Sequence, residues 1–333
     1  MFTFDVVPGD SVLKILRDRR GEVLDLVART YRSHEAGATV NPDSYFLRFP
    51  EKPDSRIIAL PAFLGADVQM AGIKWISSFP RNTENGVPRA SAVLILNDYE
   101  TGYPIAILEA ANISAARTAA SAAVAATALR PDGYESTRIG VVGGGVIARN
   151  ICDYLHAAGC TPDAYVVHDL HEPSARALAG HIGDTQGRPA SVTGDLETAL
   201  DAETVVFATT ALEPYVHRQF EAGQLVLNIS LRDLAPDVIL GAQNVLDDVE
   251  HCMKANTSPH LAEQLTGNRD FVAGTLAGVL DQQVKLTADR PVIFSPFGLG
   301  VLDLAVGAFA LQQARADGTA VSVPNFFGET RRW

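Results

Sequence analysis

The stretch IGVVGGGVIA, residues 139–148, decides the fold of this 333-residue chain. Its first half is a short apolar run typical of a β-strand, three glycines follow, and a helical pattern begins directly after them. The spacing Gly143-x-Gly145-x-x-Ala148 is the dinucleotide-binding fingerprint, with alanine in the permitted last position. Gly143 permits the tight turn, and Gly145 lets backbone N–H groups approach a pyrophosphate. The stretch therefore predicts a strand, a turn and a helix that together bind a dinucleotide.

The residues after the glycines support this interpretation. Val146 and Ile147 open the predicted helix, whose unpaired N–H groups and partial positive charge favour phosphates. Asp169 follows the strand-like run 164–168, about 20 residues beyond the glycines, where a ribose-binding acid is expected. A carboxylate there repels a 2′-phosphate, and Leu170 rather than an arginine comes next, so the sequence favours NAD over NADP. The alternative is an α/β turn that binds no cofactor and leaves Asp169 solvated.

Composition places the chain among globular proteins and argues against several classes. Apolar residues make up 47% and charged residues 20%, and the length can hold two domains. The net charge of −12 disfavours a nucleic-acid partner. We find no secretory signal pattern and no apolar run of about 18 residues that would span a membrane. Three cysteines without a C-x-x-C spacing and eight histidines without metal-ligand spacing predict a cytoplasmic protein with no metal site.

The first 130 residues predict a helix, a sheet and a second helix. Residues 11–33 show the helical spacing of apolar side chains. Strand-like runs separated by turn signals favour a mixed or antiparallel sheet, and they are 44–49, 56–60, 70–77, 92–97 and 103–109. A long alanine-rich helix is predicted from Ser114 to Arg130, and Pro131-Asp132-Gly133 is predicted to end it.

From Thr137 onward, strand and helix patterns alternate. Nearly continuous apolar runs predict a buried parallel sheet, and they are 138–142, 164–168, 204–208 and 225–229, with weaker runs near 190–192, 244–247 and 292–294. An amphipathic helix is predicted over 303–315, and the tail after Thr319 is predicted to be irregular. The expected fold class is therefore α/β, with a Rossmann domain over 131–302 and an α+β domain over 1–130 that residues 303–333 complete.

Ligands of open α/β sheets bind beyond the carboxyl ends of the strands, so the residues after each predicted strand are candidates. Asp233 is the candidate acid among them. The other candidates are Thr209 and Thr210 after one strand, Ser230, Leu231 and Arg232 after the next, and Ser295 after the last. For most of these positions a loop residue without function is the simpler interpretation.

Two cations lie in apolar surroundings. The period-2 pattern around Lys74 places apolar side chains on both faces of its strand, and a buried lysine is costly unless it is paired. Arg117 is the only charged residue between Ser114 and Leu129, and a guanidinium on a helix of small residues suits bidentate capture of a carboxylate. The alternative for Arg117 is a side chain that faces solvent. Arg48, in the run YFLR, fits a surface position and a site position equally well.

The chain resembles the ornithine cyclodeaminase/μ-crystallin family over almost its whole length. The resemblance rests on GIKW around Lys74, SAARTAAS around Arg117, VVGGGVIA at the glycine turn, VVHD at Asp169 and LNISLRD at Asp233. The stretches GIKWISSFP, RASAVLILNDYETGYPIAILEA and NISLRDL are similar to one branch, the dehydrogenases of 2,3-diaminopropionate biosynthesis in siderophore and peptide-antibiotic pathways.

This resemblance implies a fold, a reaction and partners. Members combine a Rossmann domain with an N-terminal substrate-binding domain that also forms a homodimer. The branch implies NAD-dependent oxidative cleavage of N-(1-amino-1-carboxy-2-ethyl)-L-glutamate to L-2,3-diaminopropionate and 2-oxoglutarate. A separate PLP-dependent synthase makes that small-molecule substrate from phosphoserine and glutamate, and no stable complex with it is implied.

The resemblance also implies roles for single residues. Lys74 and Arg117 match the positions that bind the substrate carboxylate, and Lys74 is also a catalytic candidate. Asp233 matches the acid/base aspartate, Thr118 matches a residue near the nicotinamide, and Arg48 matches a further carboxylate ligand. The implied cofactor-binding positions are the ones already named at the glycine turn and the strand ends, together with Thr118: Gly143, Gly145, Val146, Ile147, Asp169, Thr209, Thr210, Ser230, Leu231 and Ser295.

The residues around Asp233 depart from the pattern of the cyclodeaminases, which have a glycine-rich approach and a following P-G-K. Leu231-Arg232 precedes Asp233 here and Leu234-Ala235-Pro236 follows it. This departure favours an anionic substrate over ornithine, with Arg48 and Arg232 as extra carboxylate ligands. Two alternatives stay open, a related ornithine cyclodeaminase or imine (ketimine) reductase and a nonenzymatic ligand-binding protein like the μ-crystallins. The joint presence of Lys74, Arg117 and Asp233 argues against the second.

Overall fold

The computed structural model describes residues 3–130, 132–134 and 137–331. The chain forms two compact units, which we call the first unit (Met1–Arg117 with Leu299–Trp333) and the second unit (Thr118–Gly298). The functions assigned to the two domains, their predicted limits and the homodimer stay predictions. Pro131, which was predicted to end the alanine-rich helix, lies outside the described residues.

The first unit begins with a strand, two helices and a run of strands. The elements in chain order are β1 (Asp5–Val7), α1 (Gly9–Asp18), α2 (Arg20–Glu35), β2 (Thr39–Val40), β3 (Tyr45–Phe49), β4 (Lys52–Leu64), β5 (Met70–Ser78), a 3₁₀ helix (Pro80–Asn85), β6 (Ala90–Asp98), β7 (Pro104–Glu109) and α3 (Ala111–Leu129). The five predicted strands correspond to β3 through β7. The single helix predicted over 11–33 is wrong, because Arg19 leaves the helical conformation with φ −125° and ψ 33° and divides α1 from α2.

The second unit alternates strands and helices around one parallel sheet. Its elements are β8 (Arg138–Val142), α4 (Val146–Ala157), β9 (Ala164–His168), α5 (Glu172–Gln186), β10 (Ala190–Val192), α6 (Leu196–Leu200), β11 (Thr204–Phe207), β12 (Leu225–Asn228), α7 (Pro236–Leu240), β13 (Gln243–Leu246), α8 (Val249–Cys252), α9 (Ser258–Thr266), β14 (Val272–Thr275), α10 (Leu276–Leu280) and β15 (Val292–Ser295). The eight strands lie in the order β10-β9-β8-β11-β12-β15-β13-β14, and all neighbours run parallel. The predicted α/β class is therefore confirmed.

The last two elements, α11 (Gly300–Ala316) and β16 (Val321–Ser322), return to the first unit. Its sheet has the order β16-β1-β7-β6-β5-β4-β2, with β3 paired to β4. The sheet is mixed, since β1 runs parallel to β7 while the other pairs are antiparallel. The prediction of an irregular tail is wrong at β16, because Val321 and Ser322 pair with β1.

Helix α11 is buried on more than one face. It packs against β4, β5 and β6 and also against α1 and α2. Every residue from Gly300 to Gly307 is buried in consequence. The helix predicted over 303–315 is present, but its amphipathic pattern holds only in the second half, where Leu311 and Ala314 are buried while Gln312 and Arg315 are exposed. Along the first half the prediction is wrong, because a helix covered by a sheet and by other helices has no solvent face there.

Helix α3 carries Arg117 and consists mainly of small residues. Alanine favours the helix and lets neighbouring elements approach closely, and most of the α3 alanines are buried. The Glu109 carboxylate accepts the N–H groups of Ala111 (2.6 Å) and Asn112 (3.3 Å), which satisfies two of the free donors at the start of the helix. Neither α3 nor any other helix of the described residues is long and apolar enough to cross a membrane.

Gly140 in β8 provides a test of the close packing of the parallel sheet. A Cβ at this buried position would overlap the backbone carbonyl oxygen of Ala199, which cannot move aside as a flexible side chain can. We expect Gly140→Ala to lower the free energy of unfolding by about 1–3 kcal/mol, measured by urea denaturation.

The matched control is Gly180→Ala in α5, where an added Cβ would meet no atom within 4 Å. Because alanine favours the helix, the free energy of unfolding of this variant should rise by about 0.5–1 kcal/mol. Equal unfolding free energies for the two variants would show that Gly140 is not needed for packing.

Candidate active site

A buried ion cluster lies in the first unit. Lys74 Nζ lies 2.6 Å from Asp303 Oδ2, and Arg117 Nε lies 3.2 Å from Asp303 Oδ1. Lys74 Nζ also donates to Ser114 Oγ at 3.2 Å. The exposed side-chain fraction is 2% for Lys74, 12% for Arg117 and 0% for Asp303. The strand β5 and the helices α3 and α11 thus each supply one member of the cluster.

The cluster holds more positive than negative charge. Two cations share one carboxylate, which leaves a net charge of +1 when all three groups are ionised. Burial lowers the pKa of Lys74 to about 8, while Asp303 opposes this shift and Arg117 adds to it. Lys74 is therefore largely protonated at neutral pH. An uncompensated buried cation is costly, so a second carboxylate would be stabilised beside Lys74 and Arg117.

Asp303 is the member that sequence reasoning missed. Arg117 was predicted to capture a carboxylate of a ligand, and the structure supplies one from the chain itself. The signal was present in the sequence, because Asp303 is the only charged residue between Gly298 and Ala314. A single charge in such an apolar helix requires a partner, by the same argument that singled out Arg117.

The other cations predicted to bind substrate lie elsewhere. Arg48 is exposed on β3, and its guanidinium lies 5.3 Å from the centre of the Phe46 ring. Arg232 donates from Nε (3.2 Å) and Nη2 (2.7 Å) to the Ala255 carbonyl oxygen, so its guanidinium already has a partner. Thr118 follows Arg117 in α3 and is half-buried. The structure therefore does not bring Arg48 or Arg232 into the ion cluster.

Asp233 in the second unit is fully buried and accepts hydrogen bonds from three hydroxyls. Thr209 Oγ1 (2.5 Å) and Tyr215 Oη (2.9 Å) donate to Oδ1, and Ser230 Oγ (2.5 Å) donates to Oδ2. Thr209 and Ser230 were predicted to bind the cofactor, and here they bind the acid, whereas Thr210 is exposed. Sequence reasoning missed Tyr215, because nothing in a lone tyrosine of a loop indicates its partner.

Tyr215 is the most exposed of these donors. The side chain is 39% exposed, although its hydroxyl reaches the buried carboxylate. Burial of the hydroxyl and the nearby Asp233 raise the pKa of Tyr215. The phenol therefore stays protonated and donates its hydrogen bond throughout the neutral pH range.

The turn that presents Asp233 is strained. Leu231 has a φ of +78°, in the left-handed region that non-glycine residues rarely adopt. Its carbonyl oxygen accepts the Ser258 N–H at 2.8 Å, and the neighbouring Arg232 is held by Ala255. Such a conformation costs about 1–3 kcal/mol and persists where the surroundings enforce it, most often at functional sites.

The glycine turn has the shape needed for a pyrophosphate. Gly143 has a φ of +99°, and a Cβ there would lie 2.5 Å from the Ala208 carbonyl oxygen. Gly145 is the N-cap of α4, has no side-chain cap, and an added Cβ would meet no atom within 4 Å. Val146, the first residue of α4, is 56% exposed, while Ile147 is half-buried. The open space before uncapped N–H groups fits the phosphates of a dinucleotide.

Asp169 is tied to this turn. Its Oδ2 accepts the Gly144 N–H at 2.6 Å, and its Oδ1 accepts the His171 N–H at 2.7 Å. Each carboxylate oxygen can accept a further hydrogen bond, so the position remains suited to ribose hydroxyls.

A cleft of about 700 Å³ lies beside Asp169. Arg176 lines it, six positions beyond Leu170, but its guanidinium is bound by Glu172, with Nε at 2.8 Å from Oε1. The remaining lining residues are His168, Ala179, Ala190, Val192, Thr193 and Gly194, together with Asp169, Leu170 and Glu172. This arrangement leaves no arginine of the cleft free of a carboxylate partner, which suits NAD.

Ser295 uses its side chain inside the second unit. It is 3% exposed, and its Oγ accepts a hydrogen bond from Asn228 Nδ2 at 3.1 Å. The loop beyond it is held by Asp247, whose carboxylate accepts the N–H groups of Phe297 and Gly298 at 2.8 Å each. Burial raises the pKa of Asp247, and these bonds oppose the shift. The cofactor role of Ser295 stays a prediction.

Over the described ranges, no three His, Cys, Asp or Glu side chains are placed to hold a metal ion.

The buried ammonium of Lys74 makes stability depend on pH. The folded-state pKa of about 8 lies below the ordinary lysine pKa of 10.5, so the unfolded state binds more protons between these values and stability rises with pH there. We expect the unfolding free energy of the wild type, relative to Lys74→Met, to increase by about 2 kcal/mol between about pH 8 and about pH 10. Lys14→Met, which changes an exposed lysine, is the control. A difference that stays flat over this range would contradict the burial of a charged Lys74.

Asp169→Ala removes both backbone contacts of the acid as well as the group proposed for the ribose. We expect NAD to bind at least about 10-fold more weakly and the preference for NAD over NADP to decrease, measured by isothermal titration calorimetry. Asp184→Ala, at an exposed position of α5, serves as the control. An unchanged preference in Asp169→Ala would refute the ribose role.

Comparison with known proteins places the chain in a family. The model of the ornithine cyclodeaminase/mu-crystallin family matches residues 13–313. A protein of Staphylococcus aureus, N-((2S)-2-amino-2-carboxyethyl)-L-glutamate dehydrogenase, is 30% identical over 313 residues, which are 88% of this chain and 90% of the relative.

Two solved structures share the fold. The Δ1-pyrroline-2-carboxylate reductase of Thermococcus litoralis, in complex with NADH and L-proline, has a TM-score of 0.85 at 22% identity and covers 96% of this chain and 100% of its own. An archaeal alanine dehydrogenase dimer with bound NAD has a TM-score of 0.86 at 24% identity and covers 98% of this chain and 100% of its own. The match of the family model over most of the sequence confirms the predicted resemblance, and the chain belongs to the ornithine cyclodeaminase/mu-crystallin family.

Proposed function

We propose that the chain is an NAD-dependent dehydrogenase that cleaves N-(1-amino-1-carboxy-2-ethyl)-L-glutamate into L-2,3-diaminopropionate and 2-oxoglutarate. The observation that carries the proposal is the buried cluster of Lys74, Arg117 and Asp303, whose surplus positive charge suits a substrate carboxylate. The Staphylococcus aureus relative, which is named for this substrate, supports the specific reaction.

The second unit supplies the cofactor site in this proposal. The turn at Gly143 and Gly145 and the uncapped start of α4 hold the pyrophosphate, and Asp169 holds the adenine-side ribose. A bound NAD would supply the acceptor for the hydride that leaves the glutamyl α-carbon of the substrate.

Lys74 and Arg117 orient the substrate by binding one of its carboxylates. Hydride transfer requires a reacting carbon held in one place, and two fixed cations reduce the freedom of the bound substrate. Asp303 holds both cations without contacting solvent, so it acts as a positioning residue. Charge and geometry at this position are therefore set before the substrate arrives.

Asp233 moves the protons of the hydrolytic half of the reaction. Water adds to the imine carbon of the oxidised substrate and gives up a proton, and the resulting carbinolamine collapses when its nitrogen gains one. Asp233 can accept the first proton and return it to the nitrogen. Because the carboxylate is fully buried behind three hydroxyls, the proton passes through a hydroxyl, and Tyr215 is the exposed candidate. Its Oη takes a proton from water as its own proton passes to Oδ1.

Related activities on amino acids and imines are the nearest alternatives. A cation pair that binds a carboxylate also serves an ornithine cyclodeaminase or an imine reductase, and the Thermococcus litoralis neighbour is a reductase. A nonenzymatic binding protein is the alternative of another class. It would not need a buried acid with a hydroxyl leading outward, which is the arrangement at Asp233 and Tyr215.

The test is NADH formation, followed by absorbance, with the glutamate–diaminopropionate conjugate beside ornithine, lysine, arginine, alanine and proline. We expect kcat/KM for the conjugate to exceed that of the other compounds by about 100-fold or more, a difference that paired charges at the substrate can supply. Faster turnover of ornithine or proline would replace the proposed reaction by the corresponding alternative. If the protein binds these amino acids but turns over none of them, the result would favour the nonenzymatic binding protein.

Asp233→Asn tests the proton role separately. We expect it to bind NAD with a Kd within about 3-fold of the wild type and to lose about 100-fold or more in kcat, as expected for loss of an acid/base group. Asp237→Asn, at an exposed position four residues further on, should keep full activity. Near-normal turnover by Asp233→Asn would remove Asp233 from the mechanism.

A further inference from the structure

Three arginines lie next to one another on the sheet of the first unit. Arg48 of β3 stands opposite Arg56 of β4, and Arg56 stands opposite Ser78 of β5. Arg89, just before β6, donates from Nε to Ser78 Oγ at 3.1 Å. We call Arg48, Arg56 and Arg89 the arginine cluster. Strand pairing and one hydrogen bond thus place Arg56 and Arg89 beside Ser78, with Arg48 next to Arg56.

The arginine cluster has no carboxylate partner among the residues that the structure describes. The nearby Arg81, in contrast, lies 3.3 Å from Asp54. Like charges placed directly opposite each other on neighbouring strands destabilise a sheet, and half-buried cations without a carboxylate partner add to that cost. Arg56 and Arg89 are both half-buried. The fold therefore maintains a local excess of positive charge in a chain whose net charge is −12.

The electrostatics of the arginine cluster agree with this geometry. Burial lowers the pKa of Arg56, and Arg48 lowers it further. Burial likewise lowers the pKa of Arg89, and Arg56 adds to the effect. For both arginines, burial and the neighbouring guanidinium lower the pKa together, and no carboxylate opposes them. An anion bound between these guanidinium groups would reverse both effects.

Arg48 and Arg56 lie on the same face of the sheet as Lys74, and the Arg89 side chain reaches this face through Ser78. Residues that stand opposite each other in an antiparallel pair share a face of the sheet. Leu60 stands opposite Lys74, and Arg56, four residues before Leu60, stands opposite Ser78. Because side chains alternate between the faces with a period of two, Arg56 and Lys74 share a face. The two positions are about 14 Å apart along the strand at about 3.4 Å per residue. An extended substrate together with long arginine side chains can span this separation.

We propose that Arg48, Arg56 and Arg89 form a second carboxylate site, which binds the distal carboxylates of a di- or tricarboxylate substrate. The inference rests on the proposed function, in which Lys74 and Arg117 bind one carboxylate and the substrate carries two more. Guanidinium groups bind carboxylates in a bidentate manner, and three of them reject a substrate with a distal ammonium group. The arginine cluster thus selects the glutamate conjugate against ornithine and lysine.

The first experiment measures binding without turnover, using propane-1,2,3-tricarboxylate as the probe. We expect the probe to raise the Tm of the wild type by about 2–4 °C at near-saturating concentration, and sodium sulfate of equal ionic strength to raise it less. Arg56→Met and Arg89→Met should lose this response. Arg81→Met removes an arginine of the same region that already has a carboxylate partner, and it should respond like the wild type.

The unliganded proteins give an independent readout. If three unpaired cations repel one another, Arg56→Met without any anion should melt at a higher temperature than the wild type. Arg81→Met should not melt at a higher temperature than the wild type, because it loses the ion pair with Asp54. A melting temperature of Arg56→Met below that of the wild type, together with an intact response to the probe, would overturn the proposal.

The second experiment measures kinetics with the conjugate. We expect Arg89→Met to raise KM for the conjugate by about 10- to 100-fold, the range for loss of a charged hydrogen bond, with little change in kcat or in KM for NAD. The same variant should not raise KM for alanine, which has no distal carboxylate.

These outcomes separate the two proposals. A probe response confined to the arginine cluster, without turnover of the conjugate, would contradict the proposed reaction and leave the carboxylate site standing. Turnover of the conjugate with an unchanged KM in Arg56→Met and Arg89→Met would contradict the site and leave the reaction standing. Dissociation of an oligomer by either substitution, seen by size-exclusion chromatography with light scattering, would assign the arginine cluster to a contact between copies and overturn the proposal.

Discussion

The carboxylate of Asp303 is the group on which the first unit depends. It binds Lys74, 229 residues earlier in the chain, and Arg117, 186 residues earlier, so it ties α11 to β5 and α3. Removing one partner of a buried ion pair costs about 3–5 kcal/mol, because the remaining charge stays buried without compensation. The same interaction keeps both cations in place and leaves one positive charge uncompensated. Stability and the capacity to bind an anion therefore come from one arrangement.

The second unit handles charge in the opposite way. Asp233 has hydroxyl donors where Asp303 has cations. Hydroxyls stabilise a carboxylate less strongly than guanidinium or ammonium groups do, and they can pass protons. The strained conformation of Leu231 holds the acid in this environment. The contrast supports a division in which cations bind the substrate and a hydroxyl-bonded acid moves protons.

Local patterns predicted much of the fold and part of the site. The glycine turn, the strands β3 through β13 and β15, and the isolation of Lys74 follow from periodicity and steric rules that act over a few residues. The partners of each charged group could not be predicted in this way, because strand register and helix docking bring them from distant segments. Nothing in the sequence around Arg48 indicates that Arg56 stands opposite it. Asp303 is different, since its position as a single charge in an apolar run already required a partner.

Deuterium placed on the glutamyl α-carbon of the conjugate gives the most direct test of the central claim, that this carbon is oxidised while Lys74 and Arg117 hold the substrate. The labelled compound is incubated with the protein and NAD, and the products are analysed by mass spectrometry. We expect NADH to carry the deuterium and 2-oxoglutarate and diaminopropionate to carry none. NADH without label, or label retained in 2-oxoglutarate or in diaminopropionate, would contradict this claim.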